Sequence, residues 1–187
     1  MVGRGSYYQT ADAFLIQVAV REFITAALGR RLIVWGGQPA ITPMVWAACE
    51  DLGVDYSNAV VLYQSEFFAD RFPDETSRFQ NVVFVPEVSG SRDLSLQKML
   101  ETMLGRGDLD AAVFIGGMEG ILDEYQMFSA LHQNAAVLAV ASPGGAALDL
   151  AKTIGVSDQV ALRDVDFARL FHAGLGIKPS DPRISFI

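Results

Sequence analysis

The stretch VFIGGMEGILDEYQMF, Val113–Phe128, passes from an apolar run through two glycines into a segment with helical spacing that carries three acids, Glu119, Asp123 and Glu124. An apolar run without polar alternation reads as a strand covered on both faces. A double glycine followed by a 3.6-residue period then reads as a strand-to-helix junction. Working outward, the same alternation fills the chain. Candidate strands are RLIVW (31–35), AVVLY (59–63), VVFVP (82–86), AAVFI (111–115) and AVLAV (136–140). Candidate helices are 11–28, 43–52, 93–104, 119–132 and 145–154, with a weaker one at 165–173. Continuous apolar strands alternating with helices predict an α/β chain with a parallel sheet.

The 187 residues suit one domain, and no shift in composition divides them, so 1–187 is read as a single domain. Hydrophobic residues make up 51% of the chain and the mean hydropathy is +0.27, which fits a doubly covered sheet, an oligomer interface, or both. A formal net charge of -8 argues against nucleic acid or an anionic membrane as the main partner, since both call for basic patches. The single Cys49 excludes an internal disulfide, and His132 and His172 lack metal-ligand spacing, so a metal site is not expected; no cofactor is expected either. The most apolar stretch, 13–28, is interrupted by Gln17, Arg21 and Glu22 and falls short of a membrane span. The amino terminus has no signal pattern, and a cytoplasmic location is expected. Gln17, Arg21 and Thr25 form a narrow polar stripe on an otherwise apolar first helix, which predicts burial and self-association as a homo-oligomer. The segment 64–81 reads as an irregular insertion whose phenylalanines pack under a long loop; a lid is the alternative.

In a doubly wound sheet ligands bind beyond the carboxyl ends of the strands. Three junctions there are glycine-rich: VWGGQPAITPMVW (34–46), FIGGMEGILDEY (114–125) and AVASPGGAALDLA (139–151). Glycine admits close backbone approach, and a helix start offers N–H groups and the positive dipole end to an anion. None of the three is the dinucleotide G-x-G-x-x-G or a P-loop. The candidate ligand-binding set is Gly36, Gly37, Gln38, Pro39 and Thr42 in the first, Gly116, Gly117, Met118, Glu119, Gly120 and Glu124 in the second, and Ser142, Gly144 and Gly145 in the third. All three are expected to line one pocket. Dipole compensation accounts for Glu119 but less well for Asp123 and Glu124, which lie past the first turn. A carboxylate beside an anion-binding loop suits the hydroxyls of a ribose.

The combination of GGQPAITP, FIGGMEGILDEY and SPGGAA resembles the SLOG superfamily over roughly residues 11–154. These Rossmannoid domains include the LONELY GUY phosphoribohydrolases and nucleotide-sensing domains of bacterial antiviral systems such as Thoeris. The similarity is strongest to the defence-associated sensors, in which Gly-Gly-His-Pro is common where this chain has Gln38. The resemblance implies a Rossmann-like three-layer sandwich with a mainly parallel sheet of five or more strands. It also implies a nucleotide-derived ligand of ADP-ribose or cyclic-nucleotide type and an effector protein as partner. LONELY GUY enzymes carry Pro-Gly-Gly-x-Gly-Thr-x-x-Glu and an Arg-Lys pair; here Ile115 replaces the proline, and the pair falls at Gln97-Lys98. Alignment on Gly120 makes Glu124 the family carboxylate, and alignment on Gly117 makes it Asp123. Arg92 joins the ligand-binding set as the cation that could take the place of the family arginine; without that arginine the sensor reading is preferred to an N-glycosidic hydrolase acting through Glu124, Asp123 and Arg92. The sensors also begin with a small-residue strand, where this chain has MVGRGSYYQTAD.

Overall fold

The computed structural model describes residues 10–53 and 59–184, so the amino-terminal strand question lies outside the described residues. The elements run in the expected alternation: α1 (Ala13–Ala27), β1 (Ile33–Trp35), α2 (Thr42–Leu52), β2 (Val60–Ser65), β3 (Val82–Val85), α3 (Arg92–Leu104), β4 (Ala111–Ile115), α4 (Gly120–Leu131), β5 (Ala136–Val140), α5 (Gly145–Thr153) and α6 (Phe167–Gly174). The segment 64–81 is in part the end of β2. It continues as two 3-10 turns, Glu66–Arg71 and Asp74–Arg78.

The chain gathers into two compact units, neither of them contiguous in sequence. One takes the stretch ending at Phe23 together with Asp108–Gly176; the other takes Ile24–Gly107 and the segment from Ile177 onward. All strand pairings are parallel, as continuous apolar strands require. One correction to the expected sheet is needed. Among the described residues the ladders form a three-stranded sheet, β1-β2-β3, and a two-stranded one, β4-β5, rather than one sheet of five or more strands. All five expected strands exist, but their backbone hydrogen bonds close within each group.

In the first unit β4 and β5 run in register from Ala111↔Ala136 to Ile115↔Val140. Phe114, Ala139, Ala147, Leu150 and Ala151 form the core there, with Ile121, Leu122 and Tyr125 of α4 packed against it. Helix α6 buries Phe167 and Phe171, and Phe23 meets Phe171 edge-on at 5.4 Å between ring centroids. In the second unit Phe79 is buried between two tryptophans, 5.1 Å from Trp35 and 5.6 Å from Trp46. The insertion therefore uses this phenylalanine for packing, the reading favoured by its sequence. The tail is held to the end of α1 by arginines. Arg30 donates to the Asp181 and Ala26 carbonyls at 2.9 and 3.0 Å, and Arg183 donates to the carbonyls of Leu28 and Thr25. These cations satisfy carbonyls that a helix C-terminus leaves open.

Candidate functional site

In the first unit the glycine junctions after β4 and β5 are locked together. At the start of α5, the amides of Ala146 and Ala147 donate to the carbonyls of Gly117 and Gly116 at 3.1 and 2.9 Å. Free N–H groups at a helix start are an expected anion site, but here two of them are already spent on the neighbouring loop. The contact explains Gly145. A Cβ there would lie 2.8 Å from the Gly117 oxygen and 2.9 Å from the Gly116 carbonyl carbon, with φ at 67°. The loop after β4 therefore presents its outer side. Gly117, Met118 and Gly120 are exposed, and Met118 retains 50% of its surface. Gly117 holds φ at 76°, and a Cβ would strike the Ile121 side chain, whereas at Gly120 it would meet nothing. Ser142 Oγ is buried in the loop after β5 with no hydrogen-bond partner among the described residues.

Helix α4 separates the two carboxylates between which the alignments do not choose. Ile121, Tyr125 and Phe128 form its inward stripe, and Phe128 is buried. Glu124 lies at i+3 from Ile121 and i−4 from Phe128, so it occupies a stripe position that amphipathic packing would fill with an apolar residue. Asp123 is exposed and Glu124 half-buried. Burial, with a lesser contribution from the Asp123 charge, pushes the Glu124 carboxyl up to about 7. Glu124 lies about one helical turn after Gly120, on the face shared by Ile121, Tyr125 and Phe128. Glu119 sits half-buried ahead of Gly120.

The first junction belongs to the second unit. Gly37 packs so closely on β2 that a Cβ would lie 2.3 Å from Gln64 Nε2, and that buried amide donates to the Gly37 carbonyl at 3.4 Å. Gln38 bends back on its own loop: its Oε1 accepts from the Ala40 amide at 2.7 Å, and its carbonyl accepts from Thr42 Oγ1 at 3.1 Å. Thr42 is fully buried, and Pro39 is exposed. Gly36 lies between Trp35 and this turn. Arg92 heads α3, exposed, with its guanidinium 3.0 Å from Asp93 Oδ1. Gln97, where the enzymes carry arginine, donates to Glu101 on the exposed side of α3 at 2.9 Å. The structure thus gathers Gly116, Gly117, Met118, Glu119, Gly120, Glu124, Ser142, Gly144 and Gly145 in one unit. Gly36, Gly37, Gln38, Pro39, Thr42 and Arg92 fall in the other.

Two further residues escaped the sequence reading. Asp12 caps α1 by accepting from the Phe14 and Leu15 amides at 2.9 and 3.0 Å, and its own amide donates to the Pro143 carbonyl at 2.8 Å. The pattern Thr10-x-Asp12 before an apolar run is a helix-start signal that could have found it. Gln64, the second, sets a buried amide one residue before the end of β2, a visible break in an apolar run.

A shallow surface depression of about 530 Å³ is lined by Gln159, Val160, Arg163, Asp164, Val165 and Arg169, none of them in the glycine loops. Among the described residues no group of histidine, cysteine and acidic side chains is placed to hold a metal ion, and no helix is long and apolar enough to cross a membrane.

Comparison with curated proteins and with solved structures gives no match. A family model described as the SLOG cluster3 family matches residues 6–175, a span that takes in all three glycine junctions and Glu124. The chain belongs to the SLOG cluster3 family.

Proposed function

We propose that this SLOG-family chain binds a nucleotide-derived ligand of ADP-ribose or cyclic-nucleotide type at the loops after β4 and β5, and that it serves as a sensor in bacterial antiviral defence, acting in the cytoplasm through self-association and an effector protein. The observation that carries the ligand reading is Glu124. A carboxylate on the buried stripe of α4 costs stability, and no cation among the described residues offsets it. Strongly perturbed carboxyls of this kind concentrate at functional sites. In this reading Glu124, one helical turn after the exposed Gly120, accepts hydrogen bonds from ribose hydroxyls while the amides of the Gly117–Gly120 turn face a phosphate. The sensor and effector roles rest on the family's character.

The test is a thermal-shift screen of ADP-ribose, NAD and cyclic nucleotides, followed by calorimetry. A ligand at a hundredfold excess over its dissociation constant stabilises the fold by about 2.7 kcal/mol, a readily measured shift. Glu124→Gln should weaken that ligand roughly ten- to a hundredfold, since charge-assisted bonds contribute about 1.5–3 kcal/mol each. A screen in which no nucleotide raises the melting temperature removes the proposal.

One observation favours a second reading, an N-glycosidic hydrolase. A carboxyl titrating near 7 is partly protonated at neutral pH, as a general acid toward a leaving base requires. Incubation with nucleoside monophosphates, NAD and ADP-ribose separates the two. Free base released by the native protein and lost in Glu124→Gln establishes the hydrolase; binding without release supports the sensor.

A further inference from the structure

We propose that Asp12 is a positioning residue for the ligand loops, a role that rests on the reading of those loops as the nucleotide site. Asp12 is exposed and touches none of the glycines through its side chain, so its influence would pass through backbone it holds in place.

The contacts form an unbroken series within the first unit. The Asp12 carboxylate accepts from the Phe14 and Leu15 amides at 2.9 and 3.0 Å, which are the first open donors of α1. The Asp12 amide donates to the Pro143 carbonyl at 2.8 Å, tying the helix start to the loop after β5. One residue on, Gly144 lies so close that a Cβ would stand 2.1 Å from the Thr10 carbonyl oxygen, so this loop is seated directly on the backbone leading into α1. The next residues, Ala146 and Ala147, donate to the Gly117 and Gly116 carbonyls and so hold the loop after β4. From there α1 makes a second contact of its own: a Cβ on Gly116 would lie 2.6 Å from Ile16 Cδ1, in the first turns of the helix that Asp12 caps. Both glycine loops are thereby referred to one short piece of backbone, residues 10–16, whose conformation the Asp12 cap fixes. Loss of the cap frays the first turn and leaves the Pro143 carbonyl with a less fixed donor. The exposed Gly117–Gly120 turn then has more than one arrangement, and a ligand that needs one of them binds more weakly.

The alternative is that Asp12 stabilises one helix and nothing more. Asp166 supplies the control, because it caps α6 in the same unit by accepting from the Arg169 amide at 3.0 Å, without contact to the glycine loops. Hydrogen exchange is measured on the native chain and on Asp12→Ala, Asp12→Asn and Asp166→Ala, reading the Ala146 and Ala147 amides and the peptides over 116–121; ADP-ribose affinity is measured alongside. The expected result is roughly fivefold faster exchange at those amides in Asp12→Ala alone, with Asp12→Asn close to native because it keeps a capping oxygen. ADP-ribose affinity should fall about fivefold in the same variant. Asp12→Gly, a milder loss of the cap, replaces Asp12→Ala if the latter does not fold. Unchanged exchange at 116–121 and 146–147, or an equal rise in Asp166→Ala, overturns the proposal. If the native chain binds neither ADP-ribose nor any other nucleotide of the thermal-shift screen, it is the nucleotide reading that fails, and the exchange data still decide the role of Asp12.

Discussion

Glu124 titrates near 7 in the folded chain against 4.5 for an unperturbed carboxyl, so the native state holds this proton more tightly than the unfolded chain does. Stability contributed at this position therefore falls as pH rises from about 4.5 to about 7 and is level above that. Replacement by Gln removes the burden. We expect Glu124→Gln to be more stable than the native chain by on the order of 1–2 kcal/mol near pH 8, solvent at this half-buried group screening the rest, and to show no gain near pH 4. Chemical denaturation at the two pH values checks this, and a gain of equal size at both would assign the effect to packing. The ligand side has the opposite slope. Ribose hydroxyls donate to a carboxylate, so nucleotide affinity should rise through neutral pH in the native chain and stay flat in Glu124→Gln. The alignments left Asp123 and Glu124 open because a repeat of glycines permits two registers. Counting from Ile121 and Phe128 settles which of them faces inward, but that count needs the knowledge that these two are buried.

At the scale of elements, the interlocked helix starts give a paired prediction. Gly145→Ala sets a methyl against the Gly116–Gly117 backbone, which cannot swing aside as a side chain can, at a φ that L-residues rarely adopt. We expect a loss of about 2–3 kcal/mol in denaturant unfolding. Gly120→Ala meets open space and should lie within about 0.5 kcal/mol of the native chain or above it. Equal costs at the two sites would show that the loops do not meet as described. The elements themselves were legible: β4 and β5 lie where the apolar runs place them, and the helix bounds agree to within a residue or two, because periodicity is local. The bonds from Ala146 and Ala147 to the loop after β4 were not legible. They join positions some thirty residues apart, and nothing in the composition of either loop distinguishes an amide kept for an anion from one turned onto a carbonyl. The grouping of the strands was hidden for the same reason, since ladder partners depend on the path of the chain rather than on the run of any one strand.

For the molecule as a whole, two expectations concern α1 and what it touches. Ala19, Val20, Ile24, Ala26 and Ala27 are buried within the chain, so most of the apolar surface that suggested self-association is covered internally; Phe14, 71% exposed, is the large exception. We predict that light scattering at tens of micromolar gives a mass above the 20.3 kDa of one chain and that Phe14→Ser restores the monomer. A monomer in both proteins removes the prediction. The arginine contacts at the other end of α1 make a separate case. Arg183→Ala removes the guanidinium donor of the Leu28 carbonyl and leaves the Thr25 carbonyl with the longer bond from Arg30 Nη1 at 3.3 Å, and melting should fall by roughly 3–8 °C.

The discontinuity of the first unit has a consequence for the order in which the protein is made. Residues up to Phe23 leave the ribosome before Ile24–Gly107, yet the rest of their unit is Asp108–Gly176. At about 5–20 residues per second, the part of α1 up to Phe23 waits on the order of ten to thirty seconds for β4, β5 and α6 to be synthesised. Meanwhile the stretch Ile24–Gly107, translated without interruption, has most of its own unit in hand. The nascent chain therefore carries the α1 residues up to Phe23 without the rest of their unit while Ile24–Gly107 is made. Arrest of translation before residue 108 should leave the α1 residues up to Phe23 open to protease and to chaperones, and their protection should arrive only with α6.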